Sequence, residues 1–279
     1  MNADASCLNS STASNAVPRE RDMNMNKEAS PPVIEVTDLY KSFDGVHAVD
    51  GISFSVPAGQ TVALLGGNGA GKTTTISMLL GLLSPTRGEV RVLGARMPDE
   101  RHKVLGCMNF SSPYVDLPKR LKVWENLTIY AHLYGVRDVK GRIAELSEDL
   151  ELSNFIGRPF GDLSAGQMTR VALAKSLLNA PKLMLMDEPT ASLDPDTGDW
   201  VRSYLERYRE RTGATILLAS HNMSEVERLA HNVLMMRAGQ IVDQGAPTDL
   251  IQRHGRDNLE QVFLDIARGT TSGKKGAAA

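Results

Sequence analysis

The segment from Gly66 to Thr73, GGNGAGKT, constrains the fold of this 279-residue chain more than any other feature. It fits the pattern GxxxxGK[ST], follows the apolar run TVALLG and precedes the helix-like run TTTISMLLGLL. Glycines let a loop curl until successive backbone amides point at phosphate oxygens, and the start of the following helix adds partial positive charge. The segment therefore predicts a phosphate-binding loop between a buried strand and a helix, rather than an ordinary glycine-rich turn.

The residue types in this loop assign chemical roles. We expect Lys72 to bridge the β- and γ-phosphates of a nucleotide and Thr73 to place its hydroxyl on Mg²⁺. The other candidate nucleotide-binding residues supply backbone amides or lie in the first turn of the helix: Gly66, Gly67, Asn68, Gly69, Ala70, Gly71 and Thr74.

A second segment, LMLMDE, places two carboxylates after four apolar residues. Ligands of open parallel sheets bind at the carboxyl ends of the strands, where Asp187 and Glu188 would lie. We expect Asp187 to hold Mg²⁺ through water and Glu188 to polarise the water that attacks the γ-phosphate. Without the phosphate loop, a strand end followed by an Asp-Glu-Pro turn would be the better interpretation.

The remaining pattern predicts an α/β fold with a largely parallel sheet. VIEVTDL and GISFSV alternate in polarity and predict antiparallel strands, while LMLMD, ATILLAS and NVLMM are apolar runs separated by helix-like stretches. Between Leu121 and Asn179 the pattern is mostly helical, and past Gly239 a strand-like IVDQG precedes the helix-like TDLIQRHG and DNLEQVFLDIARG.

Charge and hydropathy exclude two classes of function. The formal net charge of −2 offers no excess of positive charge for a nucleic-acid backbone, so we expect no nucleic-acid partner. The apolar stretches are shorter than the roughly 20 residues that cross a bilayer.

Residues 1–30, rich in Ser, Asn and Ala, predict a disordered leader, although Met23 or Met25 could be the true start.

Five motifs in order resemble those of the nucleotide-binding domain of the ABC ATPases. After the phosphate loop come Leu163-Ser164-Ala165-Gly166-Gln167, similar to the family signature LSGGQ, then Asp187-Glu188-Pro189-Thr190, Ser192-Leu193-Asp194 and His221 in LLASHNMSEVE. The resemblance implies a P-loop NTPase fold with a mixed sheet core, an antiparallel β subdomain and a helical signature subdomain. It implies these boundaries: an ATP-binding domain over 31–245, its helical subdomain at about 110–180, a C-terminal helical extension over 246–269 and a flexible tail over 270–279.

The resemblance also implies ATP and Mg²⁺ as cofactors and a head-to-tail homodimer around two nucleotides. In such a dimer the signature residues of one subunit bind the γ-phosphate held by the other, and Asp194 lies in the same interface; the implied signature residues are Ser164, Ala165, Gly166 and Gln167. Ser164 opens a predicted helix with outward-facing amides, which suits an anion, although a helix start by itself needs no ligand.

Two further residues are implied by position in the family pattern. His221 matches the γ-phosphate sensor and joins Glu188 as a catalytic residue, although an isolated histidine at a strand end is usually structural. Phe43 in KSFDG resembles the aromatic residue that stacks on adenine, with Tyr40 as the alternative and core packing as the ordinary interpretation for either.

One family residue is missing. ABC ATPases carry a Gln after a strand, about a dozen residues before the segment that LKVWENL matches in this chain, and that Gln links Mg²⁺ to the membrane partner. No Gln occurs between Met97 and Tyr130, so Asn109, Ser111, Ser112 or a water would take its place. We expect this change to affect the coupling loop and the hydrolysis rate rather than the nucleotide site.

The resemblance implies separate transmembrane permease subunits as partners, with the chain peripheral on the cytoplasmic face of a bacterial inner membrane. The ending DNLEQVFLDIARG is similar to that of exporter subunits for drugs, polysaccharides or lipid-linked glycans. Two other functions stay open: a soluble ABC ATPase, which normally carries two such domains, and a weakly hydrolysing regulatory subunit, which only the missing Gln favours.

Overall fold

A computed structural model of the chain describes residues 31–112, 116–191 and 193–268. The predicted leader at 1–30, the tail at 270–279 and Ser192 lie outside the described residues. The strands are β1 Ile34–Phe43, β2 Val46–Val56, β3 Thr61–Gly66, β4 Arg87–Val92, β5 Ala95–Arg96, β6 Met108–Ser111, β7 Leu183–Asp187, β8 Thr215–Ser220, β9 Asn232–Arg237 and β10 Gln240–Gly245. The α-helices are α1 Lys72–Leu79, α2 Val123–Leu133, α3 Val139–Asp149, α4 Ala165–Leu177, α5 Pro195–Thr212, α6 Met223–Leu229, α7 Pro247–His254 and α8 Leu259–Arg268.

The strands form two sheets. One has the order β2-β1-β4-β5 and is antiparallel. The other has the order β10-β9-β3-β8-β7-β6; it is parallel throughout except for the antiparallel pair β9 and β10. The predicted α/β class with a mixed core sheet and a separate antiparallel sheet is confirmed.

The central strands of the parallel sheet, β3, β7 and β8, are mostly apolar and buried because both faces of this sheet are covered. In β3 every residue is buried, and successive side chains point to opposite sides. Leu64 packs towards the antiparallel sheet, and Leu65 packs towards the C-terminal helices α7 and α8. In β7, Met184 and Met186 pack against the helical layer of α2 to α5. Burying one such side chain contributes about 1.5–3 kcal/mol.

The structure differs from the sequence interpretation in two details. The strands β4, β5 and β6 were not predicted, because the RGEVRV, AR and MNFS segments are short and only partly apolar. The helix after the phosphate loop ends at Leu79 instead of running through the predicted LLGLL, because Gly81 adopts a left-handed φ of 66° that ends the helical path.

Candidate functional site

The phosphate loop joins the buried strand β3 to α1 as predicted. Gly71 immediately precedes α1 with φ 104°, and a Cβ there would lie 2.5 Å from the carbonyl oxygen of Ala48. No side chain other than hydrogen fits at that position. Lys72 is buried, and its Nζ donates to the carbonyl oxygens of Gly66 at 2.6 Å and Gly67 at 3.3 Å. The loop is thus wrapped around an ammonium group at a helix N-terminus, a site suited to phosphate.

Asp187, the last residue of β7, lies next to this loop. Its carboxylate is buried and lies beside the Thr73 hydroxyl. Burial and the neighbouring Glu188 charge raise the pKa of Asp187, while Lys72 and the Thr73 hydroxyl oppose the shift. A carboxylate and a hydroxyl are the hard oxygen ligands that Mg²⁺ takes alongside substrate phosphates. The donor set therefore fits Mg²⁺.

Glu188 and His221 lie together at the ends of adjacent strands. Asp187 in β7 is in register with Ala219 in β8, so the residues that follow each strand meet. The distance from His221 Nδ1 to Glu188 Oε1 is 2.6 Å. The Glu188 side chain is 12% exposed, whereas that of His221 is 63% exposed. This pair can accept a proton from a water and still present an imidazole edge to a bound ligand.

Glu188 has a left-handed backbone, φ 52°, which is uncommon for a residue with a side chain. Its amide donates to the Ala219 carbonyl at 2.8 Å, and its own carbonyl accepts from the Ala191 amide at 3.0 Å. The turn after β7 is therefore tied to β8, and Glu188 is aimed towards His221 instead of continuing along the strand.

The signature segment begins α4. Ser164 Oγ accepts from the Gln167 amide at 3.3 Å, and Gln167 Oε1 accepts from the Ser164 amide at 3.1 Å, a reciprocal capping box. Ser164 and Ala165 are exposed, and a Cβ on Gly166 would lie 3.1 Å from the Thr197 Oγ1 atom of α5. The methyl group of Ala165 thus meets no crowding, and the start of the helix is accessible.

Asp194 is the N-cap of α5. Its Oδ1 accepts from the amide of Thr197 at 3.0 Å, a bond that lowers the pKa of Asp194. Because the signature helix packs on the same Thr197, the structure brings Gly166 and Asp194 into one surface region.

The two aromatic candidates differ in what covers them. Phe43 ends β1 with 47% of its surface exposed, and Lys41 Nζ lies 4.9 Å from its ring centroid. Tyr40 lies against Gly51, and the Arg87 guanidinium is 5.5 Å from its ring centroid. Phe43 therefore offers the open ring face that stacking on a base requires, whereas Tyr40 is used in packing.

The candidates to replace the missing Gln differ in their hydrogen bonds and in their distance along the sheet from Asp187. Asn109 is buried, its Nδ2 donates to Asn179 Oδ1 at 2.9 Å, and its Oδ1 accepts from the Phe110 amide at 2.9 Å. That amide group is already used inside the protein. Ser111 pairs in register with Met186, the residue before Asp187. The geometry favours Ser111 or the following Ser112 over Asn109.

Two buried polar residues beside the site were missed from the sequence. Thr190 and Glu225 are hydrogen-bonded to each other at 2.8 Å, directly behind the turn that carries Glu188. Only their positions, two residues after Glu188 and four after His221, could have singled them out.

Comparison with known proteins identifies the family. A family model described as ABC transporter matches residues 49–191. The chain is 36% identical over 225 residues to Nod factor export ATP-binding protein I of Rhizobium johnstonii, covering 80% of this chain and 72% of the relative. It is 32% identical over 247 residues to the ABC transporter ATP-binding protein NatA of Bacillus subtilis, covering 85% and 99%.

A solved structure of an ATP-binding subunit of an ABC transporter superposes with a TM-score of 0.76 at 26% identity, covering 84% of this chain and 99% of that one. Within the described ranges, no helix is both long and apolar enough to span a membrane. The phosphate loop, the paired carboxylates and these relatives together show that the chain belongs to the ABC transporter family and is one of its ATP-binding, ATP-hydrolysing subunits.

Proposed function

We propose that this chain powers an exporter, with Glu188 as the catalytic carboxylate of ATP hydrolysis. The observation that carries the proposal is the 2.6 Å contact between Glu188 and His221 next to the buried Asp187 and the exposed Thr73. Four groups with complementary chemistry thus meet at the carboxyl ends of β7 and β8 and at the start of α1. Ligands of parallel sheets bind at such edges.

The proposed mechanism assigns one task to each group. Lys72 leaves its own loop carbonyls and binds the β- and γ-phosphates together with the loop amides, while Phe43 stacks on the adenine. Asp187 and Thr73 would hold Mg²⁺, which would supply neutralising charge for the phosphates. Glu188 accepts a proton from the attacking water. His221 contacts the γ-phosphate and keeps the Glu188 carboxylate oriented.

The proposed active unit is a head-to-tail homodimer. The exposed start of α4 at Ser164 and Ala165 presents amides and the positive end of a helix to solvent, and Asp194 lies in the same region through Thr197. These groups suit the γ-phosphate of ATP bound to a second copy of the chain. An anion accepts hydrogen bonds from the amides and is favoured by the positive end of the helix dipole.

The membrane partner is proposed to be a separate permease. Among the nine exposed large hydrophobic side chains in the described ranges, five lie between Leu82 and Leu133; they are Leu82, Leu105, Trp124, Ile129 and Leu133. Contiguous exposed apolar side chains are typical of contact surfaces, and three of these five, Trp124, Ile129 and Leu133, belong to the one helix α2. We place the chain on the cytoplasmic face of the inner membrane, where these exposed apolar side chains contact the permease. Export is supported by the relative named for Nod factor export and by the C-terminal ending that forms α8.

We further propose that residues 31–245 are the ATP-binding domain, with helical subdomain at about 110–180, and that 246–269 extend it. The extension packs on the core sheet: Leu250 of α7 and Leu259 and Val262 of α8 share one apolar cluster with Ala63 and Leu65 of β3.

The test of the catalytic assignment is Glu188→Gln. The amide can hydrogen-bond the attacking water but cannot accept its proton, so turnover should fall by a factor on the order of 10² or more. ATP binding should persist, and an ATP-bound dimer should accumulate, measurable as a doubled mass by light scattering with ATP and Mg²⁺. Glu148→Gln, on the exposed face of α3, is the matched control and should leave turnover unchanged.

Wild-type turnover in Glu188→Gln would remove Glu188 from the chemistry. Absence of turnover in the wild-type protein, even with its co-purified permease, would favour the regulatory-subunit alternative. Full activity without any membrane partner in the cell would favour the soluble alternative.

The test of the dimer is Ser164→Arg. The added side chain would block the start of α4, which serves the nucleotide of the other copy, while the phosphate loop of the same copy is untouched. We expect ATP binding to persist in the monomer and both ATP-dependent dimerisation and hydrolysis to be lost. Persistence of dimerisation and hydrolysis would disprove the composite site.

A further inference from the structure

A buried carboxylate lies behind the hydrolysis site. Glu225 of α6 is 1% exposed, and its two oxygens accept one hydrogen bond each, from Thr190 Oγ1 at 2.8 Å and from Ser220 Oγ at 2.7 Å. Burial raises the pKa of Glu225, and the bonds from Ser220 and Thr190 oppose that shift. A buried carboxylate with neutral partners costs folding free energy, so its presence calls for a function.

The two hydroxyl donors come from the two segments that carry the catalytic pair. Thr190 is two residues after Glu188, in the turn where Glu188 has its left-handed backbone. Ser220 is the last residue of β8 and immediately precedes His221. A single carboxylate therefore links the end of β7 to the end of β8, behind the 2.6 Å contact between Glu188 and His221.

Helix formation does not account for this carboxylate. The N-cap of α6 is Asn222, whose Oδ1 accepts from the Glu225 backbone amide at 3.3 Å, so the helix start is satisfied without the Glu225 side chain. The Asn222 amide in turn donates to Ser220 Oγ at 3.0 Å, which leaves the Ser220 hydroxyl hydrogen directed at Glu225.

We propose that Glu225 is a positioning residue for ATP hydrolysis, holding Glu188 and His221 at their working separation through Thr190 and Ser220. The proposal rests on the proposed function, since it assumes that Glu188 and His221 act on ATP. Glu225 itself touches neither residue by a hydrogen bond and is not assigned a proton-transfer step.

The variants Glu225→Ala and Glu225→Gln distinguish positioning from a general structural role. The alanine removes both links, and kcat should fall about 10- to 100-fold, the scale of a misplaced base. KM for ATP should stay within about 3-fold, because the phosphate loop is untouched. The glutamine keeps an oxygen for Ser220 and an amide for Thr190, so kcat should return to within about 3-fold of wild type.

The matched control is Glu227→Ala on the same helix. Glu227 Oε1 accepts a hydrogen bond from the Leu259 amide at the start of α8, away from the catalytic turn. This variant should leave kcat unchanged even if it lowers the melting temperature. A loss of kcat equal to that of Glu225→Ala would show that any disturbance of α6 has the same effect, and it would overturn the proposal.

The decisive measurement is the effect of Glu225→Ala in a His221→Ala background. If Glu225 acts through the catalytic pair, adding Glu225→Ala to His221→Ala should lower kcat little further. If the two substitutions act independently, their fold-losses in kcat should multiply. Multiplied losses overturn the proposal. The outcome is separable from a failure of the proposed function, which would show as full turnover in Glu188→Gln with Glu225 intact.

Single-donor variants keep the test usable if Glu225→Ala does not fold. Thr190→Val and Ser220→Ala each remove one hydroxyl while Glu225 remains, and each should lower kcat about 3- to 10-fold with unchanged KM. Wild-type kcat in both folded variants would show that neither link matters for hydrolysis and would overturn the proposal.

Discussion

The carboxyl edge and the amino edge of the parallel sheet each carry a histidine, and the two are held in different ways. At the carboxyl edge, His221 follows β8 and contacts a carboxylate, with Nδ1 2.6 Å from Glu188 Oε1. At the amino edge, His231 precedes β9; its Nδ1 accepts from the Thr61 amide at 3.2 Å, and its Nε2 lies 3.1 Å from Arg209 Nη1.

The groups around each histidine explain the difference. At the amino edge, protein groups satisfy one another: the Gly59 amide donates to Thr215 Oγ1 at 3.0 Å, and Arg209 Nη1 donates to the Gly59 carbonyl at 3.2 Å. At the carboxyl edge, the neighbouring Glu188 charge helps to raise the pKa of Asp187, and a bound cation would offset the repulsion between these two carboxylates. The two histidines thus differ in their partners rather than in their position at a strand end.

Among substitutions that test the difference between the two edges, we expect the largest effect for Lys72→Ala at the carboxyl edge. The substitution removes the point charge that binds the phosphates, so ATP binding should be undetectable at nucleotide concentrations on the order of 1 mM. Fluorescence of a labelled ATP analogue measures the binding, and circular dichroism checks that the fold is retained. Normal affinity for ATP would contradict the assignment of the loop.

His221→Ala should have the next largest effect. We expect kcat to fall by a factor on the order of 10², because Glu188 loses its oriented partner and the γ-phosphate loses a contact. The melting temperature should change little, since the His221 side chain is 63% exposed. A large loss of thermal stability with full turnover would show that His221 is a structural histidine like His231.

The smallest effect is expected for His231→Ala at the amino edge. Turnover should be unchanged. The free energy of unfolding at pH 7.5 should fall by only about 0.5–1 kcal/mol, because water can partly replace His231 as the hydrogen-bond acceptor for the Thr61 amide. Phosphate release and urea denaturation measure the two quantities. A loss of turnover with unchanged stability would contradict the proposal that His231 is structural and His221 functional.

The same variant tests the titration of His231. Partial burial of the imidazole ring and the Arg209 charge lower the pKa of His231. The unfolded chain therefore takes up a proton on this histidine more readily than the folded state does once the pH falls below the ordinary pKa of about 6.5. The stability contributed by His231 should therefore be complete above about pH 6.5 and decline as the pH falls below it. The difference between wild-type and His231→Ala unfolding curves should shrink from pH 7.5 to pH 5.5.

Much of the architecture was predictable because it depends on local pattern. The apolar segments TVALLG and LMLMD match β3 and β7, and GGNGAGKT forms the predicted loop. The unpredicted strand β6 is short, and its edge position depends on pairing with β7, more than 70 residues away in sequence, which no local pattern reports.

Local sequence was enough to predict the phosphate loop, the order of the family motifs and the buried parallel sheet, because glycine spacing, charge and hydropathy act over a few neighbouring residues. The folded structure was needed to show that Phe43 is exposed while Tyr40 is packed, that the Asn109 amide is already hydrogen-bonded, and that Glu225 joins two strand ends. Those outcomes depend on contacts between distant segments, and burial and hydrogen-bond partners become defined only when the chain has folded.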